Sequence, residues 1–259
     1  MPLIQNFHYF VHNEQDFSRP AVVLLHGAGG NHLYWPTEIR RLEGQRIYAL
    51  DLPGHGKSQG IGRHAIAEYA QDVLDFLGAL QIRKAIFVGH SMGGAIALHL
   101  AIHNPSRTLG LGLVATAPRL RVAPALMENT ASAATFPLAV DAVINWSFNP
   151  QAGARLRETA HQRMAEIRPA VLHGDFLACD AFDESGALGR IKTPTLILCG
   201  TQDKMTPLHA SEQMQMRIKN ASLHRIDGAG HMLMLEEPAR VASLLQVFLD
   251  GIVYQPGVL

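Results

Sequence analysis

The chain is poor in the features that mark several common roles. Only two of its 259 residues are cysteines, Cys179 and Cys199, with no CxxC pair. That excludes a disulfide framework or a thiolate-rich metal centre, and both read as structural thiols. Charge of one sign is also missing. Lys plus Arg number 22 and Asp plus Glu number 22, for a formal net charge of zero. A nucleic-acid or acidic-membrane partner selects a basic surface, so neither is expected. No apolar run approaches the ~20 residues of a membrane span. The start, Met1 to Phe10, lacks the basic and apolar segments of a secretory signal, so a cytoplasmic protein is expected.

What is present is apolar material: 47% of residues are hydrophobic and 17% charged, enough for a sizeable core. At about 150 residues per domain the length allows one large domain or two small ones. Short apolar runs bounded by Gly or Pro alternate with helical patterns, the signature of βα units on a mainly parallel sheet. The runs are Ala21 to Leu25, Arg46 to Leu50, Ala85 to Val88, Leu109 to Val114, Pro194 to Cys199 and Leu223 to Ile226. A weaker strand or hairpin signal covers Asn6 to His12. Ala65 to Leu80 reads as an amphipathic helix, Met92 to His103 as a helix apolar nearly all round, and Pro238 to Asp250 as a closing helix. The inner stripe of that closing helix is expected at Val241, Leu244, Leu245 and Phe248.

The alternation breaks between Arg119 and Arg190, a stretch with no strand run but many Ala, Leu and Met residues. A structureless loop of that length is improbable in a compact domain, so a small helical insertion over the sheet is expected. The insertion has seven arginines, no lysine and eight acidic residues. This near-neutral balance favours an uncharged acyl substrate over a phosphate-bearing one.

The strongest motif is Gly89-His90-Ser91-Met92-Gly93-Gly94, placed directly after one strand run and before one helix. A G-x-S-x-G turn between strand and helix pushes the serine hydroxyl out at the carboxyl edge of the sheet. Ser91 is therefore the candidate nucleophile, and the backbone N–H of Met92, at a helix N-terminus, a candidate oxyanion donor. A serine needs a base held by a third group. His231, in Gly228-Ala229-Gly230-His231 after the last strand run, is the candidate base. Asp203, in Gly200-Thr201-Gln202-Asp203 after the preceding run, is the candidate orienting carboxylate. The chain order Ser, Asp, His is that of a nucleophile-elbow architecture. A second oxyanion donor is expected in His26-Gly27-Ala28-Gly29-Gly30. It is assigned to Ala28, with Gly27 and Gly29 as neighbouring alternatives.

Other motifs carry less. Asp51 to Ser58, DLPGHGKS, reads as a tight structural loop. His99 and His103 have the i, i+4 spacing of a zinc pair. Leu100 stands where the glutamate of H-E-x-x-H would be, so helix packing or a partly exposed face is the preferred reading. His90 is expected to pack beside the elbow and Asp227 to face solvent or make a turn hydrogen bond.

Taken together, HGAGG at 26–30, DLPGHGKS at 51–58, GHSMGG at 89–94, PTLILCGTQDKMTP at 194–207 and GAGHMLMLEEP at 228–238 resemble the α/β-hydrolase fold superfamily over essentially the whole chain. Among its members the set looks most like small carboxylesterases and enol-lactonases. The resemblance implies a mixed, mostly parallel sheet flanked by helices, with a helical cap between the sixth and seventh strands. The core is then expected at 1–118 and 191–259, and the cap at 119–190. It also implies a triad of Ser91, Asp203 and His231, an oxyanion hole at Met92 and Ala28, and a small-molecule ester or lactone as partner. Neither a metal nor an organic cofactor is required. Carbon–carbon bond hydrolysis, perhydrolysis and a non-catalytic receptor on the same scaffold are the remaining readings of a fold that does not fix its chemistry.

Overall fold

The protein is described by a computed structural model covering residues 3–4 and 6–254. The outermost parts of the expected core, 1–2 and 255–259, lie outside the described residues, as does part of the Met1 to Phe10 segment. In chain order the elements are β1 (Leu3–Ile4), β2 (Phe7–His12), β3 (Ala21–Leu25), α1 (Thr37–Arg40), β4 (Arg46–Leu50), α2 (Ile66–Ala79), β5 (Ala85–His90), α3 (Met92–His103) and β6 (Thr108–Val114). There follow α4 (Pro124–Thr130), α5 (Phe136–Ser147), α6 (Ala154–Ala165) and α7 (Pro169–Asp180). The chain ends with β7 (Thr195–Gly200), α8 (Leu208–Arg217), β8 (Ala221–Ile226), α9 (Leu233–Glu236) and α10 (Pro238–Asp250).

The strands form one sheet in the order β1-β2-β4-β3-β5-β6-β7-β8. β1 and β2 pair antiparallel, as do β2 and β4, and every later pairing is parallel. Parallel neighbours need crossover connections, which α2, α3 and α8 supply. The central strands β3, β4 and β5 are buried along their whole length, because helices cover both faces of the sheet. Alternate residues go to opposite layers. Val23 and Leu25 pack with residues of α2, α3 and α8, whereas Val22 and Leu24 pack with residues of α1 and α10. β8 differs in composition: half of its run ASLHRI is exposed, and His224 and Arg225 place polar groups on an edge that would otherwise invite pairing.

The closing helix buries Val241, Ala242, Leu245 and Leu249, with Leu244 and Phe248 only partly covered. The stripe thus runs at i, i+4, i+8, turned from the expected one toward Leu249. β1 is a two-residue strand, too short to leave a sequence pattern.

Four helices, α4 to α7, occupy the span between the sixth and seventh strands. The chain leaves and re-enters the core through a paired neck. Leu120 N–H donates to Phe182 O at 3.3 Å, Glu184 N–H donates to Pro118 O at 2.8 Å, and Arg119 and Asp183 form an antiparallel bridge. No helix among the described residues is long and apolar enough to cross a membrane.

Candidate active site

Ser91 sits between β5 and α3 with φ 52° and ψ −115°, a conformation that costs an L-residue energy and marks functional turns. Glycine is obligatory on both sides. A Cβ on Gly89 would collide with the Gly93 carbonyl, and one on Gly93 with the Leu25 carbonyl. Ser91 N–H donates to Val114 O at 3.0 Å, and the Thr116 hydroxyl donates to Ser91 O at 2.8 Å, so the neighbouring strand end holds the turn. Met92 opens α3, with its side chain fully buried.

His231 and Asp203 come from the loops after β8 and β7. Asp203 Oδ2 accepts from His231 Nδ1 at 2.9 Å. The carboxylate also takes the Met205 N–H at 2.8 Å, the Thr206 N–H at 2.9 Å and the Thr206 hydroxyl at 2.7 Å. Burial alone would raise the Asp203 pKa. The His231 ring and the Thr206 donors outweigh it and hold the carboxyl below its ordinary range. With Nδ1 spent on Asp203, the tautomer leaves Nε2 of His231 free as a proton acceptor. His90 adds a second restraint: its Nε2 lies 3.1 Å from the His231 carbonyl, and the two rings pack at 4.8 Å. Burial, then the neighbouring His231, drive the His90 pKa down, so this ring is neutral.

Ala28, Ser91 and His231 line one cavity of about 190 Å³. Ser91 Oγ and His231 share its wall without a hydrogen bond between them, a contact that in ligand-free sites often forms only around substrate. The insertion supplies most of the apolar wall, with Leu126, Val143, Trp146, Met164 and Phe176. Arg121 and Lys204 are the cations that line it. Cys179 also reaches the cavity, but burial raises its thiol well above the ordinary value, so it is a poor nucleophile.

The glycine turn after β3 is fixed by a residue the sequence did not single out. Asp175, fully buried on α7, accepts the Gly29 N–H at 2.8 Å, His55 Nε2 at 2.7 Å and the Tyr69 hydroxyl. The Gly29 amide is thereby occupied. His55 Nδ1 faces Pro53 O at 3.1 Å. Acceptors at both ring nitrogens favour the imidazolium form of His55. Burial lowers its pKa, but the Asp175 charge and hydrogen bond outweigh that and raise it. Nearby His26 accepts from Leu52 N–H at 3.0 Å and is neutral, its pKa pushed down to about 4 by burial and by His55.

The DLPGHGKS loop is organised around Asp51, which accepts from His8 Nδ1 at 2.7 Å, from His32 N–H and Nδ1 at 2.8 Å each, and from Lys57 N–H at 3.0 Å. These donors hold Asp51 ionised and saturate it, although burial opposes the charge. Its histidines therefore serve the loop's architecture. Asp227 is exposed. Cys179 and Cys199 are both buried and free.

Comparison with known proteins adds three close likenesses. The chain is 29% identical over 240 residues to 3-oxoadipate enol-lactonase 1 of Acinetobacter baylyi, covering 90% of each chain. It is 30% identical over 281 residues to the putative carbamate hydrolase RutD of Variovorax paradoxus, covering 100% of this chain and 99% of that one. Among solved structures, a thermophilic esterase superposes with a TM-score of 0.82 at 33% identity, covering 95% and 94% of the two chains. The sequence profile of the alpha/beta hydrolase family matches residues 22–244. That span takes in the glycine turn, the strained serine and the Asp–His pair, and the chain belongs to this family.

Proposed function

We propose that the protein is a serine hydrolase of carboxylic esters with small to medium apolar acyl groups. Ser91 attacks the carbonyl carbon, and His231 takes the serine proton and returns it to the leaving alcohol. Asp203 holds the imidazolium, and the N–H groups of Met92 and Ala28 receive the oxyanion. Water, activated by His231, then releases the acid from the acyl-enzyme. In this reading residues 1–118 and 191–259 form the catalytic core and 119–190 a cap over the site.

The observation that carries the proposal is the shared cavity, which has a strained serine on one wall and a carboxylate-held histidine on another. Capture of the Gly29 amide by Asp175 supports Ala28 as the second oxyanion donor. A volume of about 190 Å³ is below the ~300 Å³ at which drug-sized ligand sites begin, which favours short acyl chains. The test is Ser91→Ala with p-nitrophenyl butyrate as substrate. Loss of turnover in a folded variant supports the assignment, and normal turnover contradicts it.

A second reading, lactone opening by the same triad, has its own support. Arg121 and Lys204 on the cavity wall suit a substrate whose far end is negative, where the near-neutral sum over 119–190 favoured an uncharged one. The similarity to an enol-lactonase points the same way. Linear esters compared with lactones, each with and without a terminal carboxylate, separate the two readings.

A further inference from the structure

The helix that begins at the nucleophile carries a second cluster at its other end. His99 and His103, one turn apart on α3, stack with ring centroids 4.2 Å apart and 30° between planes. Glu184, on the segment returning from the insertion, faces both. Its Oε1 lies 3.0 Å from His99 Nδ1 and 2.8 Å from His103 Nε2, and the three ligand atoms all lie within 4.8 Å of one another. We propose that His99, His103 and Glu184 form a structural site for a divalent transition metal of zinc type, clamping the returning strand of the insertion to the far end of α3.

Two imidazoles and one carboxylate are a donor set suited to zinc. With bonds of about 2.0–2.2 Å, tetrahedral zinc holds its ligand atoms roughly 3.3 Å apart. The two nitrogen–oxygen separations, 3.0 and 2.8 Å, lie within about half an ångström of that, and the two nitrogens lie within 4.8 Å of each other, so side-chain rotation has to close the three atoms around the ion. The ligands are held in advance. His99 and His103 stand on a regular helix, and Glu184 is fixed through its own N–H on Pro118 O at 2.8 Å and through its carbonyl, which accepts from Ala187 N–H at 2.9 Å. The side chains are partly sheltered, at 20%, 42% and 15% exposure for His99, His103 and Glu184. Solvent can therefore reach the cluster and water can complete the coordination. Eight to twelve helical residues separate the pair from Ser91, roughly 12–18 Å at 1.5 Å per residue. The metal has no part in the acyl chemistry; its effect is on the neck of the insertion.

Because Leu100 stands where the glutamate of H-E-x-x-H would be, the spacing assigns this pair to helix packing or a partly exposed face, and the two side chains do lie on a partly exposed face. The carboxylate instead arrives from a residue more than eighty positions away, and no local pattern announces it.

The test uses the full chain without a polyhistidine tag, stripped of metal with a chelator and titrated with Zn2+ alone. One equivalent of Zn2+ should bind by calorimetry and raise Tm. Both effects should disappear in His103→Asn and in Glu184→Gln, whose metal-free Tm values stay near that of the stripped wild type. Ester turnover should be the same with and without the metal. Absence of stoichiometric binding by the wild type, or equal binding by wild type and His103→Asn, overturns the proposal. Because the readouts are binding and Tm, the result is independent of whether Ser91 is the nucleophile.

Discussion

Two buried Asp–His pairs differ in what the far ring nitrogen meets. In Asp203–His231, at 2.9 Å, the second nitrogen of the imidazole is left free on the wall of a cavity shared with Ser91. In Asp175–His55, at 2.7 Å, the second nitrogen is consumed by the Pro53 carbonyl and both side chains are sealed from solvent. The first imidazole can gain and lose a proton during a reaction. The second meets an acceptor at each nitrogen, which favours its doubly protonated form. What an Asp–His pair can do thus depends on its outer nitrogen, and the carboxylate alone does not decide it.

The comparison breaks most visibly at Asp203. Asp203→Asn should leave the fold intact and lower kcat on the order of 10⁴-fold, because the wrong tautomer is presented to Ser91. Steady-state kinetics on a short-chain ester measures this. At the structural pair the loss should appear as stability instead. Asp175→Asn removes the charge facing the His55 cation, and breaking a buried pair costs about 3–5 kcal/mol, to be read from urea denaturation.

The two pairs should also separate by pH. The His55 pKa is raised above 6.5 in the folded state. Its stabilisation is therefore complete below the unfolded value and lost as pH rises through the folded one. Denaturation midpoints should fall in the wild type as pH rises above 6.5, and the fall should be absent in His55→Gln. The smallest effect is expected at His90, whose ring hydrogen-bonds the His231 carbonyl. His90→Gln should reduce kcat by less than about tenfold with little change in KM, the scale of one net hydrogen bond.

The sequence foretold the sheet because its strands are buried on both faces. That burial demands runs such as Ala21 to Leu25, and parallel neighbours demand helices between them. The elbow was legible for a steric reason, since no other residue fits at 89 and 93. Asp203 and His231 could be named because each follows a strand that ends at the same sheet edge. What stayed hidden depends on distant partners. Nothing in the helix around Asp175 distinguishes it from a solvent-facing acid, yet it ties α7 to three other segments. Thr206 lies three residues past Asp203 and gives no signal that its hydroxyl would share that carboxylate. Summed charge over 119–190 likewise gave no sign that Arg121 lines the cavity.

We propose that the Asp203–His231 pair, and not Asp175–His55, activates Ser91. It is tested most directly by the rate of covalent labelling with a fluorophosphonate, mapped by mass spectrometry in three proteins. The wild type should be labelled on the peptide containing Ser91, Asp203→Asn should react slower by orders of magnitude, and folded His55→Gln should react at close to the wild-type rate. Labelling at another serine, or full reactivity in Asp203→Asn with loss in His55→Gln, would contradict the assignment.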